Sequence, residues 1–283
     1  MTPEEYKSHV LKALDAQNIR FGTEIVNLEL SKDYSFRYHR WLHPYQGDWE
    51  LVFLFTAKYL DSLRALIPPQ STVLDIGAHT GNMSVAYSLF ASKVLAFEPN
   101  PASFEVLEKN ASLHPAIEPI YRACSTSPGV ETFHYSDAGL CNGGFATSLA
   151  KGIGSTGHNV PLDVVRVDTL GFLEEHYSNH LNDISFIKID AEGHDASIIR
   201  NLAPLIRRNK PTILTELYTD LDESEQGELF DILLDLDYDI YNEPQESLDK
   251  SGLGPRIISS PQGRSLISGE NLFCQPQSTT NDS

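Results

Sequence analysis

From Thr72 onward, short apolar runs alternate with helical stretches, and this alternation constrains the fold more than any other feature of the chain. The strand-like runs are Thr72–Ile76, Lys93–Phe97, Ile117–Tyr121, Ile184–Ile189 and Thr212–Leu217. Helical stretches follow most of them: Asn82–Ala91, Pro101–Leu113, His194–Arg208 and Glu223–Leu236. Continuously apolar strands separated by helices predict a parallel sheet covered on both faces. Asn100-Pro101 adds a good helix start, an N-cap residue followed by proline in the first turn.

Two segments interrupt the pattern. Val130–Tyr135 and Val160–Val167 predict a hairpin-like excursion, separated by the glycine-rich stretch Gly139–Gly157. That stretch is read in two ways, as a cover over a ligand with Asn142 and Ser148 as polar contacts, or as a surface insert. Upstream lie a short polar helix, a strand-like piece Glu24–Leu30, and the aromatic-basic stretch Tyr34–Tyr45. The last is either an acceptor platform or a cap that buries its rings. Gly47 and Asp48 predict a turn and cap for a helix carrying Val52, Phe55, Tyr59, Leu63 and Leu66, ended by Pro68-Pro69.

Charge narrows the function. Across 283 residues, 21 basic and 39 acidic side chains leave a net charge of −18. Nucleic-acid and anionic-lipid surfaces are read through lysine and arginine, so neither is an expected partner. Cys124, Cys141 and Cys274 share no C-x-x-C spacing and read as inert thiols of a reducing compartment. No basic flank precedes an apolar block near Met1, and Leu51–Ala57 is far short of the ~20 residues of a membrane span. The expectation is a soluble, cytoplasmic protein.

The strongest motif is Val73-Leu74-Asp75-Ile76-Gly77-Ala78-His79-Thr80-Gly81, a strand running into a glycine turn and then a helix. Gly77 and Gly81 allow close backbone approach to a ligand, and the helix from Asn82 directs N–H groups at it. Glu98, at the end of the second strand, is placed to accept from ribose hydroxyls. The spacing is G-x-x-x-G rather than the dinucleotide G-x-G-x-x-G. A nucleoside ligand without phosphates therefore fits better, and S-adenosylmethionine is the common one.

In four segments the chain resembles the FkbM-type class I methyltransferases: Val73–Gly81, Ala96–Pro101, Val165–Leu170 and Phe186–Asp195. The resemblance runs from about Gly47 to Pro276. It implies an α/β, Rossmann-like class I methyltransferase fold, with a mostly parallel seven-stranded sheet and helices on both faces. Asp239–Asn242 and Asn271–Gln275 would be its final antiparallel pair. Residues 1–46 then form an N-terminal extension with cap, acceptor or dimer contacts, 47–276 the methyltransferase domain, and 277–283 a disordered tail. The implied donor is S-adenosylmethionine and the implied reaction is O-methylation of a hydroxyl on a small molecule or glycan. The expected donor-binding residues are Asp75, Gly77, Ala78, His79, Gly81 and Asn82, then Glu98, Pro99, Asn100, Ser125 and Asp190. His79 departs from the family pattern, as do Cys124-Ser125-Thr126 near the adenine position and Asp195, where glutamate is usual.

A hydroxyl acceptor must lose its proton, which calls for a base or a metal. Asp190, Glu192, His194 and Glu216 follow the fourth and fifth strands and are expected to share one crevice. His194 is the leading base because its ordinary pKa suits proton removal near neutrality. Asp190 would touch the donor or orient the base, and Glu216 completes the catalytic set. Glu192 reads as a helix-capping acid, and Lys188 as the partner of a sheet-end carboxylate. Mg²⁺ on Asp190 and Glu216 is allowed but not favoured, since the sequence offers no obvious third oxygen ligand. No H-x-x-x-H pair suggests zinc. Two other classes stay open: a non-catalytic methyltransferase-like binding module, and a nicotinamide oxidoreductase disfavoured by the missing G-x-G-x-x-G. A homodimer also stays open.

Overall fold

The computed structural model describes residues 2–16, 20–43, 56–136, 143–144, 159–218, 221–243 and 271–277. The elements run α1 (Pro3–Ala16), β1 (Thr23–Ser31), β2 (Tyr34–Trp41), α2 (Ala57–Leu66), β3 (Thr72–Ile76), α3 (Asn82–Ser88), β4 (Lys93–Phe97), α4 (Pro101–Leu113) and β5 (Ile117–Ile120). There follow β6 (Ala123–Ser125), β7 (Gly129–Ser136), β8 (Gly143–Gly144), β9 (Asn159–Asp168), α5 (Thr169–His176), a 3₁₀ turn (Ser178–Asp183) and β10 (Ile184–Ile189). The last are α6 (Asp195–Asn209), β11 (Thr212–Glu216), α7 (Glu223–Asp235), β12 (Tyr238–Asn242) and β13 (Asn271–Pro276).

Seven strands form the main sheet in the order β12-β13-β11-β10-β3-β4-β5. The five strands expected from the alternation are all in it and mutually parallel, and β13 runs antiparallel between β11 and β12. Strand order reverses between β3 and β10. In open α/β sheets such a switch point opens a crevice at the carboxyl ends, where ligands bind. Apolar side chains fill both faces. Ile187, Ile198, Leu202, Leu229 and Phe230 pack on one side, and Leu60, Leu63, Val85, Tyr87, Phe186 and Phe273 on the other.

The excursion is a small second sheet, β6-β9-β7-β8, with β7 antiparallel to β9 as expected. Most of the glycine-rich stretch lies outside the described residues, including Cys141, Asn142 and Ser148; so do Gly47, Asp48, Val52 and Phe55. The described helix α2 is capped by Thr56, whose hydroxyl accepts from Tyr59 N at 3.1 Å. The aromatic-basic stretch forms β2, paired antiparallel to β1. Its period-two pattern buries Tyr34, Phe36 and Tyr38 on one face while Ser35 and Arg37 face out; beyond His39 the parity changes, and Trp41 and His43 are buried. Those rings are core, which favours the cap over the platform. Among the described residues no helix is long and apolar enough to cross a membrane.

Candidate active site

The turn after β3 is built around space that only glycine leaves. Gly77 has φ +73°, and a Cβ there would lie 1.9 Å from the Asp190 carbonyl oxygen. Gly81, at φ +83°, would meet Leu107 Cδ1 at 2.6 Å. Between them His79 takes φ +53°, a left-handed backbone rarely adopted outside glycine. Gly77 N and Ala78 N both donate to Phe97 O, at 3.0 and 2.9 Å, tying the turn to the end of β4. Burial pulls the His79 imidazole down to about 4, with help from the Lys188 charge, so it is neutral near pH 7.

Glu98 follows β4 and is 5% exposed. Its Oε2 accepts from His79 N and its Oε1 from Asn100 N, both at 2.7 Å. Burial outweighs these two bonds and raises its pKa to about 7. Asn100 holds Glu98 through its backbone, and its side chain caps α4 by accepting from Ala102 N at 3.0 Å. Asp75 is completely buried beneath the turn. Ser84 Oγ donates to its Oδ2 at 2.5 Å, and its Oδ1, without a hydrogen bond, lies 3.9 Å from Lys188 Nζ. Neither acid faces bulk water. Ser125 closes β6, with its backbone N–H and C=O both tied to the Thr169 hydroxyl. Cys124 and Cys274 are free thiols, and burial pushes Cys124 up to about 12.

Register extends the site sideways. Asp75, Lys188, Leu214, Phe273 and Tyr241 are aligned across β3, β10, β11, β13 and β12. Two residues nearer the carboxyl edge, the same face carries Gly77, Asp190, Glu216, Asn271 and Glu243. Glu216 pairs with Asn271 in register, and Glu243 N donates to Asn271 O at 2.9 Å. Tyr59 of α2 donates to Glu243 Oε1 at 3.2 Å. Lys188 Nζ donates to Gly77 O at 2.8 Å and lies 3.2 Å from Asp190, joining the glycine turn to this row. Burial alone would lower Lys188, but Asp190 and Asp75 outweigh it and keep the ammonium charged.

Asp190, Glu192 and Glu216 place carboxylate oxygens within 4.8 Å of one another. This is the third oxygen ligand that the sequence did not offer, and the set suits a hard cation such as Mg²⁺. Burial, with Asp190, Glu192 and Asp195 nearby, lifts Glu216 well above the ordinary carboxylate range, and its buried Oε2 has no hydrogen-bond partner.

His194 is not one of the three residues in that cluster. The charged groups acting on it are Glu131 and Arg166, which pair with each other at 3.1 Å on the small sheet. Burial lowers its pKa, so the ring is neutral at neutral pH. Just before His194, Glu192 takes φ +52° and Gly193 φ +94° as the chain enters α6. The acid of the first helical turn is Asp195, in place of Glu192, for which the sequence suggests that role.

Residues 75–240, more than half the chain, match the methyltransferase FkbM domain. The chain belongs to the FkbM methyltransferase family.

Among solved structures, an FkbM methyltransferase from Methylobacillus flagellatus is similar at 14% identity and TM-score 0.40, over 62% of this chain and 40% of that one. An rRNA methylase from Streptococcus thermophilus is similar at 11% identity and TM-score 0.42, over 77% and 94% of the two chains. A probable ribosomal RNA small subunit methyltransferase A from Methanosarcina mazei is 43% identical over 63 residues, 22% of this chain and 23% of the relative. The matched parts thus span well under two thirds of the Methylobacillus and Methanosarcina proteins.

Within this FkbM chain, sequence reasoning missed Asp195, Tyr59, Glu243 and Asn271. Asp195 stood out only as a departure from the family's usual glutamate, yet its carboxylate accepts from Thr215 Oγ1 at 2.8 Å and from Ala191 N and Glu216 N at 3.1 Å. It pins the Asp190 turn to β11. Glu243 did carry a signal: it continues the alternation of Tyr241 past the end of β12.

Proposed function

We propose that this FkbM methyltransferase transfers a methyl group from S-adenosylmethionine to a hydroxyl of a small molecule or sugar. The observation that carries the reading is Glu98, a buried carboxylate held by two backbone N–H groups beside the glycine turn. A carboxylate has about four acceptor sites; two backbone N–H groups and the Ser103 hydroxyl take up to three, which leaves room for a ribose hydroxyl. Gly77, Ala78, His79, Gly81 and Asn82 would hold the methionine part of the donor. Pro99 and Asn100 would flank its ribose, and Ser125 would lie toward its adenine. Asp75 acts from below the turn. The bound donor supplies an activated methyl group.

The chain's own contribution is positioning and proton removal. The row from Asp190 to Glu243 offers hydrogen-bond acceptors, and Lys188, the cation beside it among the described residues, is already engaged by two acids. That supports an acceptor presenting hydroxyl or amino donors rather than carboxylate or phosphate. We assign the hydroxyl proton to the ionised form of Glu216, which burial and its acidic neighbours make a strong proton acceptor but leave scarce near neutral pH, so that turnover should rise with pH, with Asp190 orienting the acceptor. His194, whose pKa burial lowers, is the competing base. The reading runs without a metal, although Asp190, Glu192 and Glu216 could hold one.

Calorimetry with S-adenosylhomocysteine tests the donor half. The wild type should bind, and Glu98→Ala should weaken binding by about 100-fold, near the upper range for losing hydrogen bonds to a charged group. Absence of heat in the wild type sinks the proposal. The acceptor half is tested by transfer of tritiated methyl to a panel of sugars and small alcohols. Glu216→Gln should lower turnover more than His194→Ala, with product binding kept in both. The reverse order returns the role of base to His194. Donor binding without transfer to any acceptor would favour a non-catalytic module.

A further inference from the structure

The β1–β2 hairpin reaches the donor turn at two points. Asn110 of α4 has no solvent exposure. Its Oδ1 accepts from His39 N at 2.6 Å, and its Nδ2 donates to His39 O at 3.3 Å and to Thr80 O at 2.7 Å. One amide thus joins β2 to the residue after His79. The second point is aromatic. The Trp41 ring meets the His79 ring edge-on at 5.8 Å between centroids. Trp41 is itself backed by His43 at 4.7 Å, and His43 by Phe21 at 4.7 Å. His79 is the non-glycine residue of this turn at positive φ, and its N–H is one of the two that fix Glu98. A left-handed backbone at a residue with a Cβ persists only where the surroundings over-determine it. Here those surroundings are Asn110 on one side and Trp41 on the other.

We propose that the N-terminal hairpin is a working part of the donor site, with Asn110 and Trp41 as positioning residues that hold His79 in the conformation that pins Glu98 toward the ribose. The inference rests on the donor reading given above. It gives the N-terminal extension a role in the reaction that a packing cap lacks. The path is Asn110 to Thr80, Trp41 to His79, and His79 N–H to Glu98. Each step is a hydrogen bond, a ring contact or a peptide link.

A double-mutant cycle read by calorimetry with S-adenosylhomocysteine tests this path. Asn110→Asp keeps the volume and the acceptor for His39 N but removes both donated bonds. It should weaken product binding about tenfold, the scale of losing one or two buried hydrogen bonds. Glu98→Gln should also weaken binding by about tenfold through loss of the charged acceptor. The double variant should bind no more weakly than Glu98→Gln alone, because both changes act on one contact. Trp41→Phe, a smaller change within the same cluster, should show the same non-additivity and guards against a variant that fails to fold. Losses that add in full, or Asn110→Asp and Trp41→Phe variants that bind as the wild type does, overturn the proposal. Loss of stability alone would lower the melting temperature equally in both Glu98 backgrounds without this coupling. A wild type that binds no product at all defeats the donor reading instead.

Discussion

The two halves of the carboxyl edge are built on opposite electrostatic terms. On the β3–β4 side, Glu98 has both oxygens on backbone N–H groups, Asp75 takes a hydroxyl and faces an ammonium, and the glycine turn is hydrogen-bonded to β4. Across β10 to β12, Asp190, Glu192, Glu216 and Glu243 stand close together with Lys188 as the cation set among them. The first half is organised before any ligand arrives. The second holds like charges whose mutual repulsion a ligand, a proton or a cation must relieve. One half is built to hold a constant molecule and the other to respond to what enters it.

The largest expected effect breaks the organised half. Gly77→Ala places a methyl group against the Asp190 carbonyl at a positive φ and should cost roughly 3–5 kcal/mol, read by thermal or denaturant unfolding. Gly81→Ala should cost less, since its clash is with the movable end of Leu107. Near-wild-type stability for Gly77→Ala would mean that the turn is looser than its geometry.

A second prediction concerns pH. Burial raises Glu98 to about 7 in the folded chain. Ribose hydroxyls donate to the ionised form, so binding favours loss of the proton. Affinity for S-adenosylhomocysteine should fall as pH drops through about 7, by at most about tenfold per pH unit, and Glu98→Gln should flatten the curve. Without ligand the sign is opposite. A carboxyl whose folded pKa exceeds its unfolded one contributes stability at low pH and loses it as pH rises toward about 7.

The smallest effect sharpens the responsive half. Glu216→Gln removes one of the crowded carboxylates and should stabilise the chain by about 1 kcal/mol, roughly 3 °C in Tm. Because the folded pKa of Glu216 is raised, the gain should be larger at about pH 8 than at about pH 5. If Mg²⁺ instead raises the melting temperature of the wild type but not of this variant, the three acids hold a metal.

Much of this was legible in the residues. The main strands and helices announced themselves through local periodicity, and Gly77, Gly81 and Glu98 through a spacing that follows directly from a strand–turn–helix. Lys188 between carboxylates followed from period two on a strand. The row joining Asp190 to Glu243 was not legible, because it depends on β13 inserting between β11 and β12, a pairing between segments far apart in sequence. The backbone leading to His194 takes two consecutive positive φ angles, at Glu192 and Gly193, of which only Gly193 gave warning. Asn110 looked like any polar residue near the end of a helix; its meaning comes from β2 lying across it.

The contact between Gly77 and the Asp190 carbonyl has one further consequence. Strands β3 and β10 meet there with room for a hydrogen atom and nothing larger, so the two central loops behave as a single rigid joint. On the proposed reading, changes of acceptor are expected on the outboard strands, where Asn271 and Glu243 can be exchanged without prying that joint apart.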